Sequence, residues 1–255
     1  MRERIQKMLA ARGVASRRQV EAWIAAGRIT VNGKPAVAGQ PVDERDDVRL
    51  DGRRLRFRRN ADAAHRGLAY HRPAREDIRA GGTSTTPSSL ERLPKSAGRR
   101  WIPISPLAAH DGGLELFITD GQLAAALTRR GLEISSEFSV RVRGALDEEM
   151  IEQMLAAAAE DSLVKGRVTA VLPAGGEGTN RWLKVQGVGL RPRDLRQLFE
   201  NCGLEPNRIL RTRFGPVAMD RSLARGRSRP LTDGELKALR ETARSRATDS
   251  RAPGR

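Results

Sequence analysis

Within the first 34 residues, two short amphipathic helices run straight into an alternating strand that ends on an Asn-Gly pair. That string constrains the fold of the N-terminal region more than any other feature of the 255-residue chain. Ile5, Met8 and Leu9 fall at helical spacing with Arg4, Lys7 and Arg12 between them, and Gly13 is placed to end the helix. Ser16 then supplies an N-cap for a second helix whose apolar stripe is Val20, Trp23 and Ile24. Arg28-Ile-Thr-Val-Asn-Gly-Lys34 alternates and turns, because Asn-Gly accepts the positive φ angles of a tight hairpin. Val42, Val48-Arg-Leu-Asp-Gly-Arg53 and Leu55-Arg-Phe-Arg-Arg59 continue the strand pattern.

Arg17 and Arg18 occupy the first turn of the second helix, where cations oppose the helix dipole at about 0.3–1 kcal/mol each. An external phosphate would offset that cost. The whole chain carries 47 Lys and Arg against 31 Asp and Glu, a net charge of +16, and residues 1–59 hold 15 against 7, half of that excess. A polyanionic partner follows, since basic groups that neutralise phosphates release condensed counterions. One cysteine, Cys202, excludes an intramolecular disulfide and a cysteine zinc cluster, so no metal is expected. The N-terminus does not read as a signal peptide and no apolar run approaches the length of a membrane span, which predicts a soluble, cytoplasmic protein.

The carrying residues Leu9-Ala-x-x-Gly13, Ala15-Ser-Arg-Arg18 and Gly27-Arg-Ile-Thr-Val-Asn-Gly-Lys34 resemble the alpha-L RNA-binding module found in a ribosomal protein, tyrosyl-tRNA synthetases and rRNA-modifying enzymes. The resemblance covers residues 1–59. It implies a face that grips folded RNA by its phosphates, with Arg17, Arg18, Arg28 and Lys34 as contacts.

Residues 60–66 are small and polar and read as a linker to a second domain over residues 67–219. Its strands are expected at Leu68–Tyr70, Trp101–Ile104, Leu114–Ile118, Glu137–Val142, Val168–Leu172 and Arg181–Gln186. Helices are expected at Gln122–Thr128, Glu148–Ala158 with Asp147 as cap, and Arg193–Cys202. Gly81–Pro87 centres a loop, and Gly175-Gly-Glu-Gly178 reads as a turn. Without a regular βαβ alternation the fold class is α+β: a small helix-helix-β module joined to a larger mixed, largely antiparallel domain. Residues 220–255 read as a basic, mostly flexible tail, with one helix at Gly234–Arg244.

Five segments of the second domain are similar to the rRNA pseudouridine synthases of the branch called RsuA/RluB: Arg92-Leu-Pro94, Gly113-Leu-Glu-Leu-Phe-Ile-Thr-Asp-Gly121, Glu137-Phe-Ser-Val-Arg-Val142, Arg193-Asp-Leu-Arg196 and Arg208-Ile-Leu-Arg-Thr-Arg-Phe-Gly215. Members isomerise uridine without a cofactor, using one aspartate in a Gly-Arg-Leu-Asp segment before a Gly-Leu-Leu-Leu strand. A carboxylate is needed there to attack the sugar or take its proton. The aligned segment here is Ser105-Pro106-Leu107-Ala108, so the nucleophile position holds a methyl group. The family tyrosine that packs on the target base aligns with Phe138, its Lys-Pro pair with Arg72-Pro73, and its Gly-Arg-Asn-Arg segment with Leu190-Arg191-Pro192-Arg193.

The resemblance therefore implies a catalytically silent, monomeric RNA-binding protein, acting on ribosomal RNA or ribosome assembly, with Phe138 as a remnant of the base pocket. An active synthase with a relocated nucleophile such as Asp111, beside His110, is the alternative, although Asp111 aligns with a turn position of the family. A third reading gives the old pocket to a partner protein. Arg191, Arg193, Arg196, Arg211 and Arg213 join the expected RNA contacts, and Trp101 and Trp182 are read as core.

Overall fold

The structure is a computed structural model that describes residues 2–12, 14–43, 45–55, 66–78, 88–96, 100–144, 147–160, 166–177 and 180–244. The Leu55–Arg59 strand beyond Leu55, most of the linker, the Gly81–Pro87 loop and Gly13 lie outside the described residues. The chain divides into two compact units. One comprises Met1–Arg66 with Pro94–Ile102 and Ile118–Ala124, and the other Gly67–Leu93, Pro103–Phe117 and Ala125–Arg255.

In the first unit, β1 (Glu3–Arg4) leads into α1 (Ile5–Ala11) and α2 (Arg17–Ala25), followed by β2 (Ile29–Val31), β3 (Lys34–Pro35), β4 (Pro41–Val42), β5 (Val48–Leu50) and β6 (Arg53–Arg54). Ser16 Oγ accepts from the Gln19 N–H at 3.1 Å, the cap read from the sequence. Asn32 and Gly33 both have positive φ, as do Asp51 and Gly52, and each pair joins adjacent antiparallel strands. The strand order is β3-β2-β5-β6, and β1 pairs with β4. Ile5, Leu9, Val20, Ile29, Val42 and Val48 form the fully buried centre of this small core. Ile118–Ala124 was expected in the larger domain. Thr119 joins it to this unit, donating its N–H to the Arg66 carbonyl at 3.0 Å and accepting from the Arg66 N–H at 3.1 Å.

The second unit contains β7 (Gly67–Arg72), α3 (Ser89–Arg92), β8 (Ile102–Ile104), β9 (Gly112–Ile118), α4 (Gly121–Arg129), β10 (Ser135–Arg143), α5 (Glu148–Glu160), β11 (Arg167–Glu177), β12 (Asn180–Val188), α6 (Pro192–Asn201), β13 (Glu205–Phe214), β14 (Val217–Ala218), β15 (Ser228–Pro230) and α7 (Asp233–Arg244), with β8 and α4 starting among segments of the first. Its sheet runs β11-β12-β10-β13-β9-β7-β15, antiparallel through β11-β12-β10-β13 and parallel where β13 meets β9. That parallel step is close. Gly113 has φ 97°, and a Cβ there would lie 2.3 Å from the Arg211 carbonyl oxygen. Met154 of α5 and Leu195, Leu198 and Phe199 of α6 pack on one sheet face against Phe138, Val140, Val142, Leu183 and Val185.

Two expectations change. Gly175 and Gly176 lie inside β11, which continues to Glu177, rather than in a turn. The segment after Asp220, expected as mostly flexible apart from a helix at Gly234–Arg244, carries a strand as well as that helix. β15 pairs antiparallel with β7 at the sheet edge, and α7 buries Leu236 and Leu239. Local chemistry explains this. Thr232 and Glu235 cap the helix reciprocally, with backbone-to-side-chain bonds of 2.8 and 3.1 Å, and Arg229 grips the Glu235 carboxylate at 2.7 and 2.9 Å. Residues 245–255 lie outside the described residues.

Candidate functional site

The loop Ser105–Ala108 enters β9 over a buried ionic cluster built from three strands. Arg72 ends β7, Glu115 lies in β9 and Arg211 in β13, and their side chains are 0, 0 and 3 % exposed. Glu115 Oε1 stands 3.2 Å from Arg72 Nε and accepts from the Leu107 N–H at 2.9 Å, while Oε2 accepts from Arg211 Nη2 at 3.1 Å. Arg72 also donates to the carbonyls of Glu76 and Ala108, both at 2.6 Å. Arg211 likewise donates to the carbonyls of Ser105 and Leu114, at 2.9 and 2.8 Å. Two planar guanidiniums thus fix the loop by its main chain, a reach that a lysine ammonium does not match. Ser105 takes φ 45° in this grip.

Burial pushes the Glu115 carboxyl above its ordinary range, against the pull of Arg211 and Arg72. The same burial pushes the Arg211 guanidinium down, and Glu115 opposes that. Next to the cluster, Glu76 has its own partners. Tyr70 Oη and Ser89 Oγ each donate to Glu76 Oε1 at 2.6 Å, and Arg92 Nε lies 3.1 Å from Oε2. Burial, and then that bond, raise the Tyr70 hydroxyl well above its usual value.

Ala108 itself is exposed, and Leu107 is buried in the core cluster that also holds Phe138 and Val140. Phe138, expected as a remnant of the base pocket, is 1 % exposed and lies in the core, where an apolar ring gains by complete burial. Arg211, expected to contact RNA, is also corrected. It faces inward because Glu115 and two carbonyls satisfy its charge there. Asp111 is buried as well. Its N–H closes the expected turn onto the Ala108 carbonyl at 3.1 Å, and its carboxylate accepts from Arg196 Nη2 at 2.9 Å and lies 3.4 Å from His110 Nε2, so it also ties α6 to this loop. Asp120 and Asp147 are the helix caps expected of them.

Other basic candidates stand outward. Arg17, Arg18 and Lys34 are exposed and make no ion pair among the described residues, while Arg28 forks onto Asp51 and lies 5.7 Å from the Trp23 ring centroid. In the second unit Arg213 is exposed, Arg191 half-buried, Arg193 paired with Asp194 and Arg196 with Asp111. Trp101 and Trp182 are both half-buried rather than core, and Trp101 donates to the Pro94 carbonyl at 2.7 Å. Sequence reasoning missed two residues. Glu115 was signalled by a lone acid in an apolar strand, whereas Arg141 stands out only through the strand register that sets it opposite Arg208 and Trp182. Burial, then the charges of Arg225 and Arg141, push the Arg208 guanidinium down, and none of the three has a carboxylate partner among the described residues.

Residues 3–48 match the model of the S4 domain family. The chain is 40 % identical over 240 residues to a ribosomal large subunit pseudouridine synthase B of Pseudomonas aeruginosa, covering 94 % of itself and 62 % of that longer protein. It is 36 % identical to the Yersinia pestis protein of the same name, covering 93 % of itself and 74 % of the relative, and 35 % identical to that of Escherichia coli strain K12, covering 94 % and 83 %. Among solved structures, a pseudouridylate synthase aligns over 93 % of this chain and 99 % of its own, with a TM-score of 0.59 at 18 % identity, a likeness of fold.

Proposed function

The chain belongs to the ribosomal large subunit pseudouridine synthase B family, and from that premise we propose that it is a member that binds structured RNA without isomerising uridine. Ribosomal RNA, free or in an assembling subunit, is the partner that its relatives' names and its charge support. The carrying observation is the loop at Ala108. A methyl group stands at the nucleophile position, Phe138 and Leu107 are in the core, and the carboxylate nearest the loop, Glu115, has both oxygens engaged by Arg72, Arg211 and the Leu107 N–H. Attack on a ribose needs a carboxylate that the sugar can reach, and Glu115 is fully buried.

Binding is assigned to basic groups that have no carboxylate partner among the described residues: the exposed Arg17, Arg18 and Lys34 in the S4 domain, and the half-buried Arg141 and Arg208 with the exposed Arg225 in the second unit. Losing the essential group of such a site removes orders of magnitude of rate, while phosphate contacts elsewhere are untouched. Affinity and activity therefore separate. The test is single-turnover conversion of uridine in rRNA fragments that the protein binds, read by chemical labelling of pseudouridine at stoichiometric protein. The expected result is binding with no conversion. Conversion by the wild-type chain that disappears in Asp111→Ala would overturn the reading and make Asp111 the nucleophile.

A further inference from the structure

We infer that Glu115 has taken over, from within β9, the counter-ion position that a carboxylate at residue 108 would fill, so that the two sites hold one negative charge between them. The inference deepens the silent reading and rests on it for the meaning of Ala108. Its grounds are ionic. Arg72 and Arg211 bring two buried positive charges to the floor of one loop, and Glu115 bridges them at 3.2 and 3.1 Å. Two like charges taken out of water are tolerated only with an anion between them.

Other acids packed around the cluster are spoken for. Glu76 is engaged by Tyr70, Ser89 and Arg92, and Asp111 by Arg196. The main chain of Ala108 already lies 2.6 Å from Arg72 Nη2, so a carboxylate on its side chain would start within reach of the same guanidinium. The motif comparison agrees: where the family pattern has aspartate and leucine, this chain has Ala108 and Glu115, and the count of carboxylates is unchanged. A fully buried glutamate in the middle of an apolar strand has no other visible reason to be there.

The relocation also separates two jobs. A carboxylate on the loop serves as counter-ion and faces any substrate, whereas one inside the strand serves only as counter-ion. Ala108→Asp in the native background should then add a carboxylate at an exposed position to guanidiniums that Glu115 already bridges, and leave the midpoint of thermal unfolding unchanged or lower. Glu115→Gln keeps the shape but removes the charge, and should lower the midpoint by roughly 6 °C or more. Adding Ala108→Asp to Glu115→Gln should raise it again, so the same substitution changes sign with its background.

The experiment is that four-protein cycle by calorimetry on the full chain, with uridine conversion measured on each protein. A sign reversal supports the relocation, and equal shifts in the two backgrounds overturn it. If Glu115→Gln gives no cooperative transition, recovery of one on adding Ala108→Asp is the supporting result and failure to recover it the overturning one. Conversion by the wild-type chain strikes the silent reading alone, because the sign of the cycle does not depend on turnover.

Discussion

Arg141 and Arg208 stand directly opposite one another across β10 and β13, two like charges in register with Trp182 on the far side of Arg141. Neither has a carboxylate partner among the described residues, and Arg225 adds a third positive charge at Arg208. Like charges in a cross-strand pair cost a few tenths of a kcal/mol to about 1 kcal/mol, a cost that an anionic partner reverses.

Replacing Arg141 and Arg208 by Ala should therefore leave the denaturant midpoint unchanged or raised while weakening RNA binding. Two lost phosphate contacts should flatten the dependence of log affinity on log salt by about one to two. Titration of labelled rRNA fragments at several salt concentrations, beside a urea melt, checks both halves. Undiminished low-salt affinity would remove this sheet face from the interface.

In the S4 domain the same measurement addresses Arg17 and Arg18, exposed in the first turn of α2. The double Ala variant should lose affinity at low salt and flatten the slope by about one to two. Stability should hold or rise slightly, since both cations oppose the helix dipole. An unchanged slope would mean that the phosphates lie elsewhere.

At the opposite end of the sequence, Glu235 is held below the usual carboxylate range, first by its bond to Arg229. A carboxyl depressed by folding contributes stability that is complete above its unfolded value near 4 and is lost as pH falls through the folded one. Glu235→Gln should cost on the order of 1 kcal/mol at pH 7, given that the pair is partly exposed, and much less at pH 3. Urea unfolding of both proteins at the two pH values checks this. A gap that stays constant with pH would show that Glu235 acts through packing or capping alone.

Much of the fold was legible because its signals are local. Ser16, Asp120 and Asp147 cap their helices through bonds spanning two or three residues, and Asn32-Gly33 turns a hairpin through its own backbone preference. The helix at Gly234–Arg244 was legible in the same way, whereas β15 before it, in an arginine-rich stretch, was not, because its strand partner is β7, far away in the sequence.

What the tertiary structure decided was the whereabouts of charge and of one aromatic ring. Arg211 alternates with its neighbours as an exposed strand residue would, and only the meeting of β13 with β9 turns it onto Glu115. Glu115 is apolar in its surroundings until Arg72 and Arg211 arrive from strands 43 residues before it and 96 after it. Phe138 alternates as a strand residue would, and only the assembled sheet and helices placed its ring in the core with Leu107, Val140 and Phe199. Sequence alone specifies which residues prefer helix, strand or turn. Whether a buried charge is tolerated depends on partners brought together across the sheet, because desolvation is offset only by a counter-charge a few ångströms away.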